Sequence, residues 1–193
     1  MRLPRLVQRR LCDYYGLDDV PDVTAFVEVG PAGSRERVLV RESVDGVELR
    51  VELPETALGD GAGLDGACQL VEGVSHFVLL AERIRCELPT THLELEMQAE
   101  VDKFLVLGVL PNPLPDDARA GLRRRLFEEA RFLDPEQTDA GERYRLASWA
   151  AERFVHRLER DFLRRARHRE LRALLARFFR AGQTEKLSLA RAA

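Results

Sequence analysis

Two stretches near the middle of the chain hold the residues best suited to chemistry. In the first, Glu72 and His76 of EGVSH stand four apart, a spacing that sets a carboxylate and an imidazole side by side on one helical face. In the second, His92, Glu94, Glu96, Gln98, Glu100 and Asp102 crowd a segment that follows the Pro-containing turn at Pro89-Thr90-Thr91. One histidine and two carboxylates can hold a divalent cation, which makes Glu72, His76, Glu96 and Glu100 the candidate metal ligands. The same residues have a plainer reading. Glu72 and His76 also suit a solvated hydrogen-bonded pair extended by Arg83, and carboxylates near a helix N-terminus are favoured by its dipole. Ser75 beside His76 makes no nucleophile and base, because helical neighbours point in different directions.

A different chemistry is offered further on. Arg157–Arg180 contains nine arginines against three acidic residues, and Arg157, Arg160, Arg164, Arg165, Arg167 and Arg169 are the candidate binding residues for phosphates or an acidic protein surface. A solvated helix accounts for the same run. His156 and His168 have no Cys or second His at ligand spacing and read as surface or packing residues. Trp149 reads as a core or interface anchor. The glycines of GDGAGLDG at 59–66 lack the Lys-Ser/Thr that a phosphate loop requires.

The elements that must position these groups follow from periodicity. Leu3, Val7, Leu11 and Tyr14 predict a helix from Pro4 to Tyr15, closed by Gly16. Thr24–Val29, Arg37–Glu42 and Val47–Leu53 predict three strands, with Ser43-Val44-Asp45-Gly46 as a hairpin turn. Leu58–Gly66 reads as a loop. Two helices, 66–86 and 92–110, are predicted next, the second capped by Thr90 or Thr91 with Glu94 at capping-box spacing. Pro111-Asn112-Pro113-Leu114-Pro115 is the clearest break. Beyond it the pattern predicts a helix ended by Asp134-Pro135, and then a long helical region from Gly141 that bends around Arg167–Arg169. That region ends at Gly182, and Thr184 caps a last turn. The expected architecture is α+β: an N-terminal helix, a small three-stranded antiparallel sheet, a central helix pair and a C-terminal helical bundle of about three helices. The expected division is a core at 1–111 and a basic helical lobe at 112–193 packed on it.

Composition bounds the function. The 193 residues are 45% hydrophobic and 33% charged, as in an ordinary packed protein. Three widely spaced cysteines, Cys12, Cys68 and Cys86, argue for reduced thiols and against a disulfide framework or thiolate zinc site. The Arg-rich start is not a secretory signal and no apolar run is long enough for a bilayer, so a cytoplasmic, membrane-free protein is expected. Residues 1–118 hold 11 Lys and Arg against 22 Asp and Glu, and residues 119–193 hold 19 against 11. That polarity suits a protein partner, or self-association through the acidic core and the basic lobe.

The order of strands, a helix bearing EGVSH, and a helix ending in DKFLVLGVLP resembles the ImmA/IrrE-type zinc metallopeptidases, over about residues 1–111. Asp102, Phe104 and Pro111 match the latter half of that family's second-helix pattern. The resemblance implies a zincin-like core in which Glu72 stands at the first ligand position, Gly73 at the catalytic Glu, His76 at the second ligand and Gln98 at the third. HExxH chemistry needs two imidazoles on the metal and a glutamate to activate its water. With EGVSH in that place, peptidase activity is not expected. Three functions remain open. The first is a non-catalytic binding or regulatory protein with a degenerate zincin-like metal site. The second is a metal-dependent hydrolase using an atypical Glu/His/carboxylate set with zinc or another divalent metal. The third is a nucleic-acid adaptor using the Arg-rich helices.

Overall fold

The alternation of apolar residues and the glycine and proline breaks are realised as an α+β chain in the computed structural model, which describes residues 2–44, 46–59 and 61–192. Among the described residues it has eight α-helices and one three-stranded sheet. They fall into two compact units, one made of Met1–Asp13 and Leu17–Pro89, the other of Tyr14–Gly16 and Thr90–Ala193. The break at 111–115 lies inside the second unit.

Helix α1 (Arg2–Tyr15) belongs to the first unit as far as Asp13, and there it buries Val7 and Leu11. Gln8 is buried with them, donating to the Pro21 carbonyl (2.6 Å) and accepting from the Val23 amide (2.9 Å). Those two bonds satisfy backbone groups that the following loop would otherwise bury unpaired. The expected strand at Thr24–Val29 is shortened. Asp22 accepts from both the amide and the hydroxyl of Thr24, which draws Val23–Ala25 into a 3-10 turn and leaves β1 as Val27–Val29. Strand β2 (Arg37–Ser43) and strand β3 (Gly46–Leu53) form the expected hairpin. Asp45 of the hairpin turn, like Asp60 in the later loop, lies outside the described residues.

The sheet is mixed, not wholly antiparallel. Its order is β1-β3-β2, and β1 runs parallel to β3 with Val27 opposite Val51. The Asp-Gly signal specifies only the hairpin. The seven residues from Gly30 to Glu36 are long enough to carry the chain past one strand width, so β3 returns between the first two.

Just before the expected loop, Glu55–Leu58 forms a short helix, α2, preceded by Pro54. Helix α3 (Leu64–Arg85) then lies on the sheet, with Phe77 against Phe26 at 4.9 Å between ring centres.

In the second unit, helix α4 (His92–Gly108) starts with the expected capping box. The Thr91 hydroxyl accepts from the Glu94 amide (3.2 Å), and the Glu94 carboxylate accepts from the Thr91 amide (2.6 Å). Helix α5 (Asp116–Arg123) passes into a π-helical turn at Arg124–Glu128. Helix α6 (Asp139–Leu158) buries Ala147, Ala150, Ala151, Phe154 and Leu158, and it too ends in a π turn, Glu159–Leu163. Helix α7 (His168–Arg180) follows, then α8 (Gln183–Arg191), whose N-cap is Gly182 and not Thr184. Phe154 and Phe178 stack at 4.2 Å, and Tyr15 stacks on Phe179 at 4.5 Å. No described helix is long and apolar enough to cross a membrane.

Candidate functional site

The EGVSH segment occupies the middle of α3. Glu72 is buried, and His76, one turn on, is half-buried. Between them Gly73 faces the sheet. A Cβ added there would meet Leu53 Cδ2 at 2.8 Å and Val51 Cγ1 at 3.3 Å, and both residues are fully buried. Glycine is what lets the helix axis approach β3 this closely, so position 73 is a packing position with no space for a longer side chain. The Glu72 carboxylate has a resident cation nearby. Burial works against the charge of the Arg35 guanidinium, but the carboxylates of Glu36, Asp65 and Glu72 outweigh it and hold the guanidinium above its ordinary pKa. Arg35 reaches Asp65 at 3.5 Å and Glu36 at 3.7 Å. Asp65 also accepts from Gln69 (2.6 Å).

Helix α4 buries more than the apolar stripe of an amphipathic helix. It is buried on nearly every face, Glu94, Glu96, Gln98, Asp102 and Lys103 included. Leu95 separates Glu94 from Glu96 and is itself half-buried, so the glutamates form no continuous acidic strip. Glu94 is accounted for by the cap. Glu100, half-buried, pairs with Lys103 at 2.7 Å. Glu96 and Glu100 are one turn apart on the same face of this helix.

Gln98, which the resemblance would set at a third ligand position, is hydrogen-bonded at both ends of its amide. Its amide donates to the Tyr15 hydroxyl (2.9 Å) and to Asp102 (3.0 Å), and its carbonyl accepts from the Lys186 ammonium (2.6 Å). Tyr15 donates to Asp102 as well. Lys186 also donates to the Phe178 carbonyl (2.6 Å) and lies 4.1 Å from the centre of the Phe178 ring. All four polar residues are buried. Burial, followed by the neighbouring Asp102 charge, drives the Tyr15 hydroxyl well above its ordinary pKa. A carboxylate, an ammonium, an amide and a phenol therefore satisfy one another in a dry interior. Sequence reasoning misses Tyr15 and Lys186 as members of this constellation. They are 171 positions apart, and each sits in a local pattern that reads as an ordinary helix.

The six candidate arginines divide into two groups. Arg157 is half-buried, donating to the Leu189 carbonyl (3.5 Å) and 3.9 Å from Asp161. Arg160 is bidentate to Asp161, and Arg167 pairs with Glu170 while covering the Phe162 ring. Arg164, Arg165 and Arg169 are exposed around the turn between α6 and α7, and their side chains make no hydrogen bond or ion pair among the described residues. His156 and His168 are exposed. Trp149, expected as an anchor, is 42% exposed with Arg153 over its ring, because the α6 stripe centres on the alanines beside it. Comparison with family models, with curated proteins and with solved structures gives no match to this chain.

Proposed function

We propose that the chain is a non-catalytic binding protein on a zincin-like layout, with a degenerate metal site that serves as a ligand site. The observation that supports this best is Gly73. A water-activating glutamate at that position would have to displace Val51 and Leu53 from beneath α3. The engagement of Gln98 by Tyr15, Asp102 and Lys186 adds to it, since the amide at the third family position is already hydrogen-bonded at both ends. What remains for a cation is Glu72 and His76, with Glu96 or Glu100 as the carboxylate that the sequence spacing supplies. One imidazole with carboxylates suits zinc or another divalent first-row metal, which would act there as a Lewis acid or a structural cross-link. Arg35 holds some of the same charge, so metal entry would release it.

Elemental analysis and zinc titration test the site. Stoichiometric metal lost in Glu72→Ala and His76→Ala supports it, and Arg35→Ala raises the affinity. Peptide hydrolysis abolished by His76→Ala overturns the non-catalytic reading in favour of a hydrolase.

A second reading rests on Arg164, Arg165 and Arg169, whose guanidinium groups make no ion pair among the described residues. They suit a polyanion such as nucleic acid. Retention on DNA or RNA at low salt, with a slope that falls by roughly 0.9 per arginine removed, is the expected behaviour. No retention at low salt removes this reading.

A further inference from the structure

The β2–β3 hairpin extends past both β1 and the reach of α3. β1 pairs only with Val51–Leu53, whereas β2 pairs along β3 from Glu52 back to Gly46. Val51 and Leu53 are fully buried at the inner end, while Leu39, Val40 and Val47 at the outer end are 42%, 48% and 41% exposed. Three consecutive residues, Leu39, Val40 and Arg41, are exposed, so both faces of the ribbon are open there. β2 is an edge strand, and its outer side carries no further strand among the described residues.

Edges of this kind are usually guarded by charge or proline. Here one guarding charge is paired within the sheet and a second stands across from an opposite charge. Arg37 donates twice to the Glu52 carboxylate on β3, and Arg41 stands opposite Glu48. An incoming strand therefore meets an edge that is locally balanced and apolar at its centre.

We propose that β2 pairs with β2 of a second copy of this chain, antiparallel and centred on Val40. A closed two-fold contact of this type, in register on a residue, brings that residue opposite its own copy. The charge pattern selects which one. Centring on Leu39 sets Arg37 against Arg41 twice, and centring on Arg41 sets two guanidinium groups face to face, both unfavourable. Centring on Val40 pairs the whole strand, setting Val40 against Val40, Leu39 against Arg41, Val38 against Glu42 and Arg37 against Ser43, with no like charges opposed. Backbone hydrogen bonds supply the affinity, and the paired valines at the axis fix the register.

Sedimentation velocity of the full chain tests this, with Cys86→Ser as background because Cys86 is exposed. Twice the chain mass is expected at high protein concentration. Val40→Glu and Val40→Lys each place like charges at the axis and return the protein to a single chain. An equimolar mixture of the two restores the doubled mass. Val40→Cys gives a disulfide-linked dimer under mild oxidation, since opposed Cβ atoms in such a pair lie about 5 Å apart. Circular dichroism confirms that each variant is folded. A single chain at every concentration overturns the proposal, and so does a dimer that Val40→Glu leaves intact.

Discussion

At the level of single residues, Gly73 and Tyr15 carry opposite lessons. Gly73 is small because β3 lies under it, and the expected penalties scale with what is added. Gly73→Ala sets about 1 kcal/mol of helix propensity against a 2.8 Å contact with Leu53, and costs about 1 kcal/mol net. Gly73→Glu forces a longer, charged side chain into the same contact and costs about 3 kcal/mol or more. Denaturant titration of both variants checks the order. Tyr15→Phe keeps the ring on Phe179 but strips Asp102 and Gln98 of a buried partner, and about 2 kcal/mol is expected to be lost by the same measurement. That position 73 carries no side chain is legible in EGVSH itself. Its structural cause is not, because the contact partners Val51 and Leu53 are set by how α3 lies on the sheet. The polar network is hidden for a related reason: helical periodicity says which residues are inward and not which distant polar atoms they meet.

At the level of elements, most helices are legible because each carries its own start and stop. The Thr91–Glu94 capping box is a local four-residue pattern, and so is the Asp-Gly signal of the hairpin. Arrangements that are not local escape such signals. The parallel placement of β1 depends on a crossover, and the shortening of β1 depends on Asp22 taking both donors of Thr24. Helix α1 makes its own prediction. Burial, then the charges of Asp13 and Glu82, lifts the Cys12 thiol from its ordinary 9.0 to about 11. Burial lifts the Tyr14 hydroxyl from 10.0 to about 12, against an opposing pull from Arg172, and Tyr15 moves the same way. All three stay protonated in the folded chain over a range where the unfolded chain ionises them. Their contribution is whole below the unfolded pKa values and is lost as pH rises through the folded ones. Unfolding midpoints measured from about pH 8 upward should therefore fall from about pH 9, and tyrosinate absorbance from Tyr14 and Tyr15 should rise only on unfolding.

At the level of the whole molecule, several of the charges counted in the composition pair with one another inside the second unit. Arg119 and Arg123 meet Glu159, Arg124 meets Glu129, and Arg177 meets Glu185. Each such pair takes one base and one acid, so residues 119–193 keep the excess of 19 basic over 11 acidic residues that the composition shows. The division of the chain into units follows a different logic from the proline break, and it has a consequence for cutting. Residues 90–193 expressed alone lack Tyr14–Gly16, which belong to that unit. The fragment is expected to melt well below the full chain, and a peptide of residues 1–16 is expected to raise its melting temperature, the Tyr15→Phe peptide less so. Evolution faces the same seam. A module with one small piece encoded roughly seventy codons upstream of the rest cannot be moved to a new gene by one recombination at one linker. Duplication or exchange would have to carry the whole reading frame, so variation in this lineage is expected to enter by substitution within it.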